Sequence, residues 1–328
     1  MEPSFLKDKV ILVTGGTGSF GRYFVDAALK SPLKKLIVFS RDEYKQFEMQ
    51  KEISDPRIRF FLGDVRDLNR LQKAFRDVDI VVHAAALKQV PALEYNPSEA
   101  IKTNIAGTQN VVDAALDNKK VEKVLLISTD KAVNPVSLYG ATKLCAEKLF
   151  IAANVYRGFG GRPSFSVVRY GNVIGSRGSL VENLLRQREG EITLTHADMT
   201  RFWMKLDDAS SLVMKALVVM KGGEIFVPKV PSMKIADLVA ALRPNLAVKT
   251  VGIRPGEKIH EALLTADEVH RARDLGPHYV VEPAKEHKWW EGAHLKNYSL
   301  LPDDFIYTSD ADSHLLKAED IQNFIKSA

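Results

Sequence analysis

Short runs of apolar residues alternate with segments of helical period through the first half of the chain. The predicted strands cover residues 9–14, 35–39, 58–62, 80–83, 124–128 and 165–169, and the predicted helices cover residues 20–30, 43–53, 69–75, 98–117 and 137–156. Strands that are apolar along their whole length and separated by helices are typical of a parallel sheet covered on both faces. The first half therefore predicts an α/β fold with a doubly wound parallel sheet.

The second half is less regular and predicts a smaller lobe of mixed α/β structure. Its predicted elements are two strands and two helices, at residues 192–195, 224–227, 207–220 and 235–242. A chain of 328 residues is long enough for one large domain with such a lobe. We predict that the large domain covers residues 1–170 with residues 204–227 returning to it, and that the lobe covers mainly residues 171–203 and 228–328.

Composition excludes several functional classes. The net charge of +5 suits a site for anionic small molecules, but no basic run is dense enough to predict a nucleic-acid partner. No apolar run approaches the roughly 20 residues that cross a bilayer. The one cysteine, Cys145, excludes an intramolecular disulfide framework and fits a reducing cytosol; we interpret it as a small buried side chain. We therefore expect a cytoplasmic protein without a membrane partner.

A glycine-rich segment, TGGTGSFG at residues 14–21, follows the first strand and opens the first helix. Glycines permit the tight turn and let the backbone approach a pyrophosphate, which rests on the helix N-terminus. Such a pattern is weak evidence alone, but a strand before it and a helix after it strengthen the prediction. The sequence therefore predicts a Rossmann-type dinucleotide site, with contacts from Gly15, Thr17, Gly18, Ser19 and Phe20.

The end of the second strand bears on which dinucleotide is bound. An NAD-specific protein usually places an acidic residue there, whereas this strand ends in Ser40 and Arg41. The planar fork of Arg41 can hold a 2′-phosphate, with a further hydrogen bond from Ser40. Asp42 comes one residue late and suits the N-cap of the next helix. NADP is therefore favoured, although Arg41 can also be read as an ordinary solvated charge.

Three further residues follow later strands and complete the adenosine side of the predicted site. Asp64 and Val65 come after the third strand, where they can meet the adenine. Ala85 lies in a run of three alanines after the fourth strand, and small side chains let the backbone pass close to the cofactor.

A tyrosine and a lysine, Tyr139 and Lys143, are spaced four apart and so share one helix face. An ammonium beside the phenol would lower the pKa of Tyr139 towards a working value. Just upstream, at the end of an apolar strand, stand Thr129, Asp130 and Lys131. Hydride transfer needs only the tyrosine and lysine, so Asp130 and Lys131 indicate further chemistry. The alternative, a solvated charge pair, is disfavoured because active sites of doubly wound sheets lie beyond the carboxyl ends of the strands.

Together these features resemble the extended short-chain dehydrogenase/reductase family and, within it, the configuration-inverting UDP-N-acetylglucosamine 4,6-dehydratases. The segments that carry the resemblance cover nearly the whole chain, at residues 14–21, 40–43, 84–91, 128–143, 169–173, 199–204 and 254–258. The triplet TDK at residues 129–131 and the run MTRFWM at 199–204 are the most specific. The chain departs from the family pattern at residues 195–198, which the resemblance implies would form a wall of the substrate pocket.

The resemblance implies an NADP-dependent mechanism on UDP-N-acetylglucosamine. Tyr139 removes the hydroxyl proton at sugar carbon 4, and Thr129 hydrogen-bonds the same oxygen. Lys131 is the candidate base at carbon 5, provided that burial or neighbouring cations keep it partly neutral, and Asp130 is the candidate acid for the departing carbon 6 hydroxyl. Retaining dehydratases carry an Asp-Glu pair here, so Lys131 favours inversion.

The resemblance also assigns the remaining site residues. The cofactor set gains Val173, and the substrate set is Lys88, Thr129, Asn172, Arg177, Thr195, Met199, Arg201, Arg254 and Glu257. Arginines would pair with phosphate oxygens and Glu257 with ribose hydroxyls. We expect a homo-oligomer, which is a hexamer in many members, and no spacing predicts a metal site. Whether the product leads to pseudaminic acid or to an N-acetylfucosamine-type sugar stays open.

Two alternative functions fit the same framework. A UDP-sugar 4-epimerase would use the same oxidation at carbon 4 without requiring Asp130 and Lys131, and trapping of a 4-keto product distinguishes the two. A non-catalytic NADP-binding regulator would keep the fold but would have little use for the Tyr139 and Lys143 pair.

Overall fold

The computed structural model describes residues 3–157, 161–187, 189–284, 290 and 292–327. Its strands are β1 Val10–Thr14, β2 Lys35–Ser40, β3 Ile58–Leu62, β4 Ile80–His83, β5 Lys123–Ile127, β6 Ser164–Val168, β7 Asn172–Val173, β8 Glu191–Leu194, β9 Thr200–Met204, β10 Ile225–Pro228, β11 Ser232–Lys234, β12 Ala247–Thr250, β13 Ala272–Asp274 and β14 His278–Val281. The strands predicted for the first half all coincide with β1 to β6.

The helices of the described residues alternate with these strands. They are α1 Ser19–Leu29, α2 Glu43–Glu52, α3 Leu68–Ala74, α4 Val90–Tyr95, α5 Pro97–Ala100, α6 Gly107–Leu116, α7 Leu138–Ala153, α8 Leu180–Arg186, α9 Leu206–Val219, α10 Ile235–Leu242, α11 Ala266–Val269 and α12 Ala318–Lys326. The single helix predicted over residues 98–117 is α5 and α6 joined by a π-helical segment, Ile101–Ala106. Within the described part of the chain, no helix has both the length and the apolar character needed to span a bilayer.

The main sheet has the strand order β13-β14-β10-β6-β5-β4-β1-β2-β3. The strands from β10 to β3 run parallel, so their carboxyl ends meet at one edge; for example, Thr14 pairs with His83 at the ends of β1 and β4. Every residue of β1 and of β4 is buried, as a sheet covered on both faces requires. The predicted fold class, a doubly wound Rossmann domain with a smaller lobe, is confirmed.

The smaller lobe contains two short sheets, β11-β9-β7 and β12-β8, packed with α8, α10 and α12 around their own core. Trp203 and Met233 lie at its centre. Helix α9 packs on α1 of the main domain, at the segment that we expected to return there. Strands β13 and β14 fall in the segment assigned mainly to the lobe, yet they extend the main sheet in antiparallel orientation. The domain boundaries as a whole stay a prediction.

Local signals explain several element starts. Asp42 caps α2 by accepting a hydrogen bond from the amide of Lys45 at 3.0 Å, as its position after β2 predicts. Helix α4 was not predicted, because its six residues contain no periodic apolar face.

Cys145 is exposed on α7, so its interpretation as a buried side chain is wrong.

Candidate active site

The glycine-rich turn lies where β1 passes into α1, at the carboxyl edge of the main sheet. Gly15 has φ +68°, and a Cβ there would stand 2.8 Å from the backbone of Ala85, so only glycine fits. The amide of Gly18 donates to the Gly15 carbonyl at 2.9 Å, which closes the turn. Helix α1 then begins at Ser19 after a residue that has no side chain to cap it. Its first amides are thus placed to bind an anionic group such as a pyrophosphate.

A cavity of about 280 Å³ continues from this turn towards β2 and β3. It brings together nine residues of the predicted cofactor set: Gly15, Thr17, Gly18, Ser40, Arg41, Asp42, Asp64, Val65 and Ala85. The Oγ of Ser40 accepts a hydrogen bond from Gln46 Nε2 at 3.0 Å. Nη1 of Arg41, a half-exposed side chain, lies 3.6 Å from Asp64 Oδ2. Size, glycine turn and polar groups all fit the adenosine part of a dinucleotide.

A larger cavity of about 650 Å³ extends from the same turn across the ends of β4, β5 and β6. Besides Gly15 and Gly18, its walls include ten predicted site residues: Ser19, Phe20, Lys88, Thr129, Lys131, Tyr139, Lys143, Asn172, Val173 and Arg177. Arg177 contacts the glycine-rich turn itself, since its backbone amide donates to Ser19 Oγ at 2.9 Å and its Nη2 donates to the Thr17 carbonyl at 2.7 Å. The structure therefore puts Arg177 beside the predicted pyrophosphate position, next to the cofactor set.

The tyrosine and lysine pair stands at the start of α7. Ser137 caps this helix by accepting from the amide of Gly140 at 3.1 Å, and Glu94 of α4 accepts from the amide of Leu138 at 2.7 Å. A Cβ at Gly140 would lie 2.2 Å from the carbonyl oxygen of Lys131. The absence of a side chain at this position is what lets the first turn of α7, with Tyr139, pack directly on the turn that carries Lys131.

The pKa of Tyr139 differs from the sequence-based expectation. Burial is the largest influence and raises the pKa of Tyr139 to about 12, and the cation that most opposes this rise is Lys131. The Nζ of Lys143 donates a hydrogen bond to the Ile127 carbonyl at 2.7 Å, and burial lowers the pKa of Lys143 to about 8. The prediction that Lys143 lowers the pKa of Tyr139 is therefore wrong for this arrangement of the side chains.

Thr129 is the N-cap of a short 3₁₀ turn, Asp130–Ala132, which begins shortly after the end of β5. The hydroxyl of Thr129 donates to Asp130 Oδ1 at 2.8 Å, and Lys131 Nζ donates to the same oxygen at 3.0 Å. Asp130 is 0% exposed, and its Oδ2 has no hydrogen-bond partner among the residues that the structure describes.

Glu261, a residue that sequence reasoning missed, completes the surroundings of Lys131. It is 3% exposed and belongs to the segment between β12 and α11. Its Oε1 lies 3.6 Å from Lys131 Nζ, and its Oε2 lies 3.0 Å from Lys258 Nζ. Burial by itself would lower the pKa of Lys131, but Asp130 and Glu261 together raise it above the usual value. The expectation that burial or neighbouring cations keep Lys131 partly neutral is therefore wrong.

Five residues of the predicted substrate set do not line the larger cavity: Thr195, Met199, Arg201, Arg254 and Glu257. Met199 is buried in the core of the lobe. Arg201 is buried, and its guanidinium donates to the carbonyls of Thr200, Ile259 and Lys258 at 2.7 to 3.1 Å. Arg201 thus holds the lobe together here, and the donors engaged in these bonds are not free for a phosphate.

Thr195 follows β8 directly and is partly buried, and the remaining two lie in the segment after β12. Arg254 is exposed, and its amide donates to Glu257 Oε2 at 3.4 Å within the same loop. The loop is nevertheless close to α4 and α7, because a Cβ at Gly256 would stand 3.1 Å from Ser137 Cβ. No group of histidine, cysteine, aspartate or glutamate suited to a metal ion occurs within the described ranges.

Comparisons with known proteins agree with this architecture. The family described as polysaccharide biosynthesis protein matches residues 11–283. A relative from Campylobacter jejuni subsp. jejuni serotype O:2, named UDP-N-acetylglucosamine 4,6-dehydratase (inverting), is 49% identical over 311 residues, which are 92% of each chain. A relative from Rickettsia canadensis, named UDP-glucose 4-epimerase, is 43% identical and covers 84% of this chain and 83% of its own.

Solved structures are similar over most of the chain. That of Pen from Bacillus thuringiensis has a TM-score of 0.90 and 37% identity, and 98% of each chain is covered. The dTDP-glucose 4,6-dehydratase DesIV from Streptomyces venezuelae, solved with NAD bound, has a TM-score of 0.67 and 25% identity, over 76% of this chain and 86% of its own.

Proposed function

The chain belongs to the polysaccharide biosynthesis protein family, alongside relatives named inverting UDP-N-acetylglucosamine 4,6-dehydratases, and from this membership we propose that it dehydrates UDP-N-acetylglucosamine with inversion at carbon 5. It is an enzyme of the hydro-lyase class. The product would be UDP-2-acetamido-2,6-dideoxy-β-L-arabino-hexos-4-ulose. The observation that carries the proposal is the hydrogen-bonded pair of Asp130 and Lys131 beside Tyr139 at one end of a dinucleotide-sized cleft.

A nicotinamide dinucleotide fits the two cavities, with its pyrophosphate at the glycine-rich turn. When bound, the oxidised ring would supply an acceptor for the hydride of sugar carbon 4 and a donor for its return to carbon 6, and the positive charge of the ring would favour the phenolate of Tyr139. Tyr139 takes the proton of the carbon 4 hydroxyl, and Thr129, which lines the same cavity, orients the same oxygen. The resulting ketone makes the proton on carbon 5 acidic.

Elimination of water then needs an acid and a base on neighbouring groups. Lys131 begins as an ammonium and Asp130 as a carboxylate, joined by their 3.0 Å hydrogen bond. Transfer of one proton along this bond gives a neutral amine and a neutral carboxylic acid. Lys131 removes the carbon 5 proton while Asp130 protonates the departing carbon 6 hydroxyl, so the pair regains its starting charges. Protonation of carbon 5 on the opposite face, by Lys131 or by water, gives the inverted sugar.

The test of this proposal is proton NMR of the purified protein with UDP-N-acetylglucosamine in deuterated water. We expect a 4-keto-6-deoxy product that carries deuterium at carbon 5 in the inverted configuration. A retained configuration would keep the dehydratase and overturn inversion. Formation of UDP-N-acetylgalactosamine would favour the epimerase, a candidate that the Rickettsia relative's name also brings forward.

For the cofactor we propose NADP, because Arg41 directly follows β2 and lines the adenosine cavity. We expect Arg41→Ala to weaken NADP binding by roughly 10- to 100-fold, the effect of one lost charge-assisted hydrogen-bond donor, and to leave NAD binding nearly unchanged. The matched control is Arg66→Ala, which also removes a partner of Asp64 but lies outside the cavity lining. Dissociation constants for both dinucleotides measure the effect, and equal losses for NADP and NAD would contradict the assignment.

We further propose UDP-N-acetylglucosamine recognition by Lys88 and Asn172, which line the larger cavity. The other substrate residues, the oligomeric state and the cytoplasmic location stay predictions.

A further inference from the structure

Lys131 lies between two carboxylates that come from different parts of the fold. Asp130 precedes it in the same turn, whereas Glu261 reaches it from a segment 130 residues later in the chain. We propose that Glu261 is a positioning residue for Lys131: it holds the amine at the cavity and keeps a proton on the Asp130 and Lys131 pair between turnovers. This inference rests on the proposed function for its catalytic meaning.

The position of Glu261 is defined on all sides. Its amide donates to Ser309 Oγ at 2.9 Å, and its carbonyl accepts from the amide of Ser309 at 2.8 Å. Its side chain accepts from Lys258 Nζ, which also donates to the Val133 carbonyl at 2.7 Å. Lys258 therefore ties the segment that carries Glu261 to the catalytic turn, and the carboxylate has little freedom to leave Lys131.

The charge balance around Lys131 explains why a second carboxylate is needed. The charged and titratable groups that face it are Asp130 on its own turn, Glu261, Arg201 of β9, Tyr139 of α7 and Lys88 from the segment after β4. Arg201 and Lys88 oppose a further positive charge, and Lys258 adds another cation beside Glu261. With Asp130 as the sole anion, a partly buried ammonium at this place would lose its proton readily.

Among Asp130, Lys131 and Glu261, Lys131 is the residue that lines the larger cavity, and its side chain is 26% exposed. Asn172 Oδ1 lies 3.4 Å from its Nζ and supplies a third neighbour. Glu261 thus stabilises the ammonium from the side away from the substrate. The ion pair then starts each turnover with the one proton that the acid and base share.

The experiment is competitive labelling of lysines with a small amine-reactive anhydride across a pH series, with each site quantified by mass spectrometry. Only the neutral amine reacts, so the midpoint pH reports the pKa of each lysine. In the wild-type protein we expect the Lys131 midpoint above that of the exposed Lys51. In Glu261→Gln we expect the Lys131 midpoint to move to lower pH by about one to two units, with Lys51 unchanged.

The matched control is Glu224→Gln, which neutralises another buried carboxylate that is hydrogen-bonded to Ser166 and His294, away from the cavity. It should leave the Lys131 midpoint where it is in the wild type. If Glu261→Gln does not fold, Glu261→Asp keeps the charge but withdraws it from Lys131, and a smaller shift in the same direction is expected. An unchanged Lys131 midpoint in a folded Glu261 variant would overturn the inference.

Activity gives the second readout. The limb of the dehydration pH profile that follows Lys131 should move to lower pH in Glu261→Gln, whereas a loss of folded protein would lower the rate equally at every pH. If the wild type forms no 4-keto-6-deoxy product, the proposed function fails while the labelling still decides the role of Glu261.

Discussion

We expect Lys131→Ala to lower the turnover of dehydration by roughly 10²–10⁴-fold, the usual contribution of a positioned general acid or base. The oxidation at carbon 4 uses Tyr139, so the variant should still transfer hydride and should accumulate reduced nicotinamide on the protein. The dinucleotide should be retained, because Lys131 is not among the residues lining the adenosine cavity. Absorbance of the reduced ring and NMR of the products measure the two steps separately.

The loss of Lys131 also leaves Asp130 and Glu261 without a cation, so a second variant separates chemistry from folding. Lys131→Gln keeps most of the side-chain length and a donor for Asp130 but cannot accept a proton. The unfolding temperature of Lys131→Gln should be closer to that of the wild type than the unfolding temperature of Lys131→Ala is. Its dehydration activity should nevertheless be as low as that of Lys131→Ala. Dehydration at the wild-type rate by either variant would remove Lys131 from the mechanism.

We expect Arg169→Met to lower the free energy of unfolding by about 3–5 kcal/mol, because it leaves two buried carboxylates unpaired. The guanidinium of Arg169 is 1% exposed and lies 2.7 Å from Glu147 Oε2 and 2.9 Å from Glu268 Oε2. Glu147 also accepts from Ser128 Oγ at 2.5 Å. The cluster therefore joins the end of β5, helix α7 and helix α11 around one cation. Equilibrium unfolding in urea gives the measurement.

An arginine just before β6 provides the control for Arg169, which directly follows β6. Arg162 pairs with Glu122 at 3.1 Å but is largely exposed, so Arg162→Met should cost about 1 kcal/mol or less. The variant that also carries Glu147→Gln and Glu268→Gln should regain part of the loss, since no buried charge remains. Similar costs for Arg169→Met and Arg162→Met would contradict this account of the cluster.

The same cluster predicts a dependence on pH. Burial raises the pKa of Glu268, but Arg169 outweighs it and holds the pKa at about 2, below the ordinary value of 4.5. A carboxyl whose pKa is lower in the folded than in the unfolded protein stabilises the fold fully at pH values above its unfolded-state pKa. This stabilisation is lost as the pH falls through the folded-state pKa. The stability difference between wild type and Arg169→Met should therefore narrow between pH 4.5 and about 2.

The central sheet could be predicted closely because its inner strands, such as β1 and β4, are buried on both faces and are mostly apolar. The edge strand β13 and its neighbour β14 were not predicted: they are three and four residues long and include Arg273, Asp274 and His278. Helix α4 is short and begins with Val90 and Pro91, without a periodic apolar face. Tertiary contacts determine whether such short segments form a helix or a strand, and these contacts leave little periodic signal in the sequence.

The site was predictable where it is local in the chain. The glycine-rich turn, the turn at residues 129–131 and the start of α7 each combine motif and position, and the structure brings them together. Glu261 could not be found this way. Its partner Lys131 is distant in the sequence, and its other partner, Lys258, is three residues away, a spacing that many surface glutamates share with a lysine. The pKa directions of Lys131 and Tyr139 were missed because they depend on burial and on that distant carboxylate.

The order of strands in the main sheet has a consequence for synthesis of the chain. Strand β10 reaches its place beside β6 by residue 228, but its other edge is covered only by β14, which ends at Val281. During translation a long stretch must therefore emerge while an apolar strand edge is open to pairing with other chains. Chains that stop before residue 278 would keep that edge permanently exposed. Strands β14 and β13 thus protect the edge of β10 from pairing with other chains.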